Sequence, residues 1–171
     1  AVCPIDDLIH RLFNSSADVI GLTDNLMYQP HLQSPFLMFN KPVITSTRFW
    51  NFWSNINCWE HKRSIVKNYE VGLPVLLKQE GFKLESLYSI NANGNILHAE
   101  WESLICDRNF PFIKVSLLRD NPHQVDISNW KSVVGQRNNT LAKQIEQQLL
   151  QASHNQGQKT QDDDNNPRKS F

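Results

Sequence analysis

Two short, uninterrupted apolar runs constrain this chain more than any other feature. Residues 18–22 (Asp-Val-Ile-Gly-Leu) and 36–39 (Phe-Leu-Met-Phe) are each bounded by turn-forming residues. A strand with one wet face alternates apolar and polar side chains, whereas a run without alternation suits a strand covered on both faces. Both runs therefore predict core strands of a sheet with layers on either side. Between them, 23–31 predicts a loop containing Asp24, Asn25 and Pro30. Residues 82–88 alternate and predict a further strand.

Helical periodicity fills the intervals. Ile5, Leu8, Ile9 and Leu12 recur at helical spacing in 4–13, with Asp6 and Asp7 in the first turn, where the helix dipole favours acids. Ser46 or Thr47 can cap a helix whose Phe49, Trp50, Phe52, Trp53 and Ile56 form a wide apolar stripe. Indoles stack on sugars, but such a stripe predicts core packing. Helices are predicted at 60–68 and 70–80, with Pro74 in the first turn of the second and Gly81 ending it. Residues 91–95 predict a turn-rich loop, and 98–106 a short helix with Trp101, Leu104 and Ile105 inward. Residues 110–118 form a compact apolar segment with one embedded lysine, Lys114. The alternation of strands and helices points to an α/β layered domain with a small sheet over 1–125. A linker and amphipathic helix are expected over 126–153, and a disordered polar tail over 154–171.

Composition narrows the function. Seventeen basic and seventeen acidic residues cancel, which argues against a nucleic-acid partner, because phosphate backbones call for a basic surplus or stripe. His61-Lys62-Arg63 is too short for a stripe and reads as a solvated helix face. Cysteines at 3, 58 and 106 have no zinc or redox spacing and read as reduced thiols of a cytoplasmic protein. No signal peptide is evident, and no apolar run approaches the roughly 18 residues of a membrane span. There is no phosphate-cradling glycine loop, nucleophile elbow or His-Glu-x-x-His. What remains is polar residues at the ends of apolar strands, where open α/β sheets bind ligands. These are 21–25, 31–34, 69–73, and 111–114 with 119–122.

Those stretches also carry a likeness. In order, they are DVIGLTDN (18–25), HLQSPFLMFNK (31–41), Phe52-Trp53, YEVGL (69–73), Gly81-Phe82 and PFIKVSLLRDNP (111–122). With them the chain resembles the rhamnan synthesis protein F family of rhamnose-polysaccharide assembly. The resemblance implies a nucleotide-sugar glycosyltransferase with a GT-A-like α/β fold, of which this chain holds the acceptor side. It further implies that the nucleotide-binding half, with its Asn-Asp-Ser-like stretch, precedes Ala1, so that the chain is incomplete and inactive alone. The implied partners are a nucleotide-sugar donor and a glycan acceptor, with no nucleic acid. A cytoplasmic location is expected, with peripheral association at the inner membrane face, and a divalent metal in the complete enzyme is left open. Pro35 departs from the family pattern, which has an aromatic residue there, and removes a backbone donor at the strand's start.

An inverting sugar transfer needs a carboxylate to take the acceptor hydroxyl proton and positive charge for the leaving diphosphate. Glu70, expected at a helix start, is the first candidate base; the plainer reading is an acid that favours the helix dipole. Asp24 is the alternative base or a hydroxyl ligand, against a turn-forming role. Thr23, Asn25, His31, Gln33, Ser34 and Asn121 offer hydrogen-bonding groups for sugar hydroxyls, or for their own loops. Lys114 either meets an anionic ligand or buried partner, or snorkels to solvent. His98, a lone histidine, reads as structural, and no residue is assigned to a metal. The expectation that unites these residues is that the loops at 21–34, 69–73 and 111–122 converge on one cleft. A non-catalytic carbohydrate-binding or scaffold module is the alternative.

Overall fold

A computed structural model describes residues 1–89 and 95–164, with side chains to 152. The loop expected at 91–95 therefore falls, but for Asn95, outside the described residues.

Helix α1 (Asp6–Asn14) leads into strand β1 (Val19–Gly21) at the centre of a three-stranded sheet. Strand β4 (Leu37–Phe39) pairs antiparallel to β1, with Ile20 opposite Met38. Strand β5 (Leu84–Ser86) pairs parallel on the other side, with Ile20 opposite Glu85. The predicted strands exist but are short. Pro35 lies two residues before β4, so its missing amide costs the ladder nothing. Strands β2 (Asp24–Asn25) and β3 (His31–Leu32) form a small hairpin inside the stretch expected as loop. The Gln33 amide extends it by donating to the Thr23 carbonyl at 2.8 Å.

Strand alternation places Ile20 and Val19 on opposite faces of the sheet, and both are buried. Ile20 packs with Leu8, Leu12, Leu87, Leu104 and Phe110. Val19 packs with Leu32, Val43, Phe49, Leu73 and Leu77. The expectation of a sheet covered on both faces is met, and the fold is mixed α/β with small sheets and many helices.

Four expectations are corrected. The first concerns helices 60–68 and 70–80, which are one continuous helical run. It comprises α4 (Lys62–Ile65), a π-helical turn (Val66–Val71) and α5 (Gly72–Gln79). Pro74 has no amide to give the Glu70 carbonyl, and its ring crowds that carbonyl in a regular α-turn. A wider turn just ahead accommodates it without breaking the helix. Glu70 accordingly sits inside a helix and not at its start.

The second concerns the aromatic stripe. After α2 (Lys41–Ile44), helix α3 (Thr47–Ser54) buries Phe49 but leaves Trp50 56% and Trp53 41% exposed. The Trp50 indole instead lies along the α2–α3 corner, donating to the Ile44 carbonyl at 2.7 Å.

The third concerns the C-terminal third. Helices α6 (Ile96–Ala99), α7 (Trp101–Cys106), α8 (Val115–Arg119), α9 (Trp130–Arg137) and α10 (Asn139–Asp164) follow β5. Val133, Val134 and Ala142 share a second core with Val2, Trp101, Ile105 and Leu117. Residues 130–142 thus pack as part of the body and do not act as a linker.

The fourth concerns the tail. Residues 154–164 continue α10, because no proline intervenes before Pro167 and Gln and Lys are good helix formers. Residues 165–171 lie outside the described residues.

Candidate functional site

A cleft of about 500 Å³ opens where the β2–β3 hairpin, the π-turn, α6 and the start of α8 meet. Its walls hold Asn25, Tyr28, His31, Gln33, Lys62, Glu70, Asn95, His98, Lys114 and His123. Five of the candidate catalytic and sugar-binding residues meet there: Asn25, His31, Gln33, Glu70 and Lys114. They come from three of the expected loops.

The hairpin forms the wall of amide and imidazole groups. Asn25 Oδ1 accepts from the Met27 amide at 2.7 Å, an Asx turn that starts the connection to β3. Tyr28 holds φ of 70° at the cleft rim, a left-handed conformation that a ring-bearing residue enters at a cost. His31 is buried, and its Nδ1 lies 2.8 Å from the Gln29 carbonyl. A carbonyl only accepts, so Nδ1 carries the proton and Nε2 is left for another partner. Thr23 is fully buried and donates its hydroxyl to Gln33 Oε1 at 2.9 Å. That bond sets the Gln33 amide and leaves Nε2 with no acceptor among the described residues. Thr23 therefore stands behind the cleft wall and supports it.

Asp24 does not line the cleft. Neighbouring residues of a strand point to opposite faces, and its neighbour Asn25 takes the cleft side. Asp24 Oδ2 accepts from Ser89 Oγ at 2.7 Å, and Oδ1 is buried without a partner. Ser34 is likewise outside, but its amide donates to Glu70 Oε1 at 3.0 Å and ties the carboxylate to the hairpin. Asn121 does not line the cleft. With φ of 36°, its side chain closes a loop by bonding both backbone groups of Val125.

The opposite wall is cationic. Lys114 is the residue before α8, half-buried, and burial together with the nearby Lys62 ammonium lowers its pKa, while Glu70 acts in the other direction. His98 is 2% exposed. Burial, and then Lys114, His123 and Lys62, push its pKa down to about 4. Its Nε2 lies 3.3 Å from Ser116 Oγ, and its Nδ1 is buried with no partner. The His123 ring stands edge-on to it at 5.0 Å between centroids. The sequence pattern reads Lys62 as part of a solvated helix face and gives His123 no role; only folding brings both to the cleft with Lys114.

The donor set does not suit a metal ion. Among the described residues no three His, Cys, Asp or Glu side chains converge as ligands, and the cleft's two lysines would repel a cation.

Known proteins give two points of comparison. The rhamnan synthesis protein F family model matches residues 9–157. The uncharacterized protein y4gN of Sinorhizobium fredii (strain NBRC 101917 / NGR234) is 33% identical over 87 residues, which are 48% of this chain and 23% of that protein. The chain thus matches under a quarter of that relative's length. No solved structure matches.

Proposed function

The chain belongs to the rhamnan synthesis protein F family, and from that premise we propose that its cleft is the sugar-receiving site of a glycosyltransferase of bacterial surface-polysaccharide assembly. Under this reading the mixed α/β body is the acceptor side of a GT-A-like fold, and a nucleotide-sugar donor is used by the complete enzyme. The observation that carries it is the meeting, in one hollow, of Asn25, His31 and Gln33 from the hairpin with Glu70 from the π-turn.

Sugar hydroxyls need paired donors and acceptors at fixed positions. The Gln33 amide hydrogens and His31 Nε2 supply both kinds, held by Thr23 and the Gln29 carbonyl. Glu70 is the one carboxylate among the cleft's described residues. One of its oxygens is occupied by the Ser34 amide, which leaves the other to remove the proton from an attacking hydroxyl.

Glu70→Gln in the full-length protein should lower the rate of sugar transfer by ~100-fold or more while rhamnose-oligosaccharide binding stays within a few-fold. Turnover near the normal rate would remove Glu70 from the reaction. The chain shares its cleft with a second reading, a carbohydrate-binding module without catalysis. That reading expects oligosaccharide binding by the full-length protein and no transfer from any nucleotide sugar.

A further inference from the structure

We propose that the wall of the cleft formed by Lys62, Lys114, His98 and His123 binds a phosphate group of the ligand. Lys62 and Lys114 face one hollow, and among the described residues neither ammonium has a hydrogen-bond or ion-pair partner. Two like charges beside a half-buried site repel each other, and among the cleft's described residues Glu70 is the one carboxylate to offset Lys114. Fold stability gains nothing from that arrangement, whereas a bound dianion would neutralise both cations and accept charge-assisted hydrogen bonds from them.

His98 supplies an independent observation. It is almost wholly buried, lines the same hollow and keeps Nδ1 unpartnered. In the proposed site the Ser116 hydroxyl donates to Nε2 and the ring proton lies on Nδ1, a neutral donor of the kind that completes a phosphate site. A neutral sugar would leave the two ammonium groups uncompensated, and a metal ion would add to their repulsion. The chemistry selects an anion, and a hollow of about 500 Å³ has room for a phosphorylated sugar-sized group.

The inference rests on the cleft being the substrate site, but it is tested separately from sugar binding. Inorganic pyrophosphate is titrated into the chain at pH 7.5 by calorimetry. Saturable one-to-one binding is expected, weakening as salt rises. Lys62→Met and Lys114→Met should each weaken it ~10-fold or more, the scale of one charge-assisted contact. Lys114→Met should also melt no lower than the parent while losing the pyrophosphate-induced rise in Tm, which distinguishes a lost contact from a lost fold.

Uridine diphosphate and glucose 1-phosphate are then compared. Tighter binding of the first identifies the donor as the source of the phosphate, and tighter binding of the second identifies a phosphorylated acceptor; either supports the site. Absence of saturable pyrophosphate binding, or binding indifferent to both lysine changes, overturns it. Pyrophosphate binding without rhamnose-oligosaccharide binding would keep the phosphate site and overturn the sugar-receiving reading instead, and the opposite pattern would do the reverse.

Discussion

Gly21 has no room for a side chain. A methyl group there would lie 3.1 Å from both Cβ and Cδ2 of Leu32, closer than carbon atoms normally pack. The glycine lets β3, and with it His31 and Gln33, lie against the end of the central strand. Gly21→Ala should cost about 1–3 kcal/mol, the usual cost of overpacking, and should loosen the hairpin; urea denaturation and sugar binding measure the two effects. The same scale explains the division among the candidate residues. Thr23, Asn25, His31, Gln33 and Ser34 were legible as a group because they flank an apolar strand. Which of them face the cleft was not legible, because that depends on strand alternation within a hairpin that the sequence disguises as loop. Asp24 and Asn25 are neighbours with similar chemistry, yet only Asn25 lines the cleft.

At the scale of elements, the helical run from Lys62 to Gln79 carries Glu70 in its π-turn and is followed, past its cap Glu80, by Gly81. Gly81 has φ of 87°, and nothing would touch a methyl group placed on it. Its requirement is purely conformational, in contrast to the steric one at Gly21. Gly81→Ala should therefore lose about 1 kcal/mol, and Gly81→Asn less, since Asn tolerates the left-handed region. Equal losses for the two variants would mean that something other than backbone conformation is at stake. The stop at Gly81 was readable from the sequence. The continuity across residue 69 was not, because Pro74 signals a break and the π-turn that absorbs it has no signature of its own.

For the whole molecule, the buried histidine couples stability to acidity. His98 titrates near 4 in the fold and near 6.5 in the unfolded chain. Below 6.5 the unfolded state takes up the proton first, so stability declines as pH falls from 6.5 to 4 and this contribution levels off below. The shift corresponds to about 3 kcal/mol. Denaturant midpoints measured between pH 7 and 4 should fall for the parent and fall by markedly less for His98→Gln. Leu117 sits at the heart of the second core, which joins Val2 near the N-terminus to Ala142 in α10. Leu117→Ala should cost about 2–5 kcal/mol and, if the two cores unfold as one unit, should do so in a single transition by both fluorescence and circular dichroism.

Residue order alone determined the buried central strand, the helices that cover it and the polar segments that could reach a ligand, because apolar periodicity and turn chemistry act over a few residues. The tertiary structure alone decided what those segments do together. Lys62, His98, Lys114 and His123 are far apart along the chain, and nothing in the local pattern around any one of them points to the other three. They become one cationic wall only when α4, α6 and α8 pack around the hairpin, since electrostatic fields act through space and take no account of sequence separation.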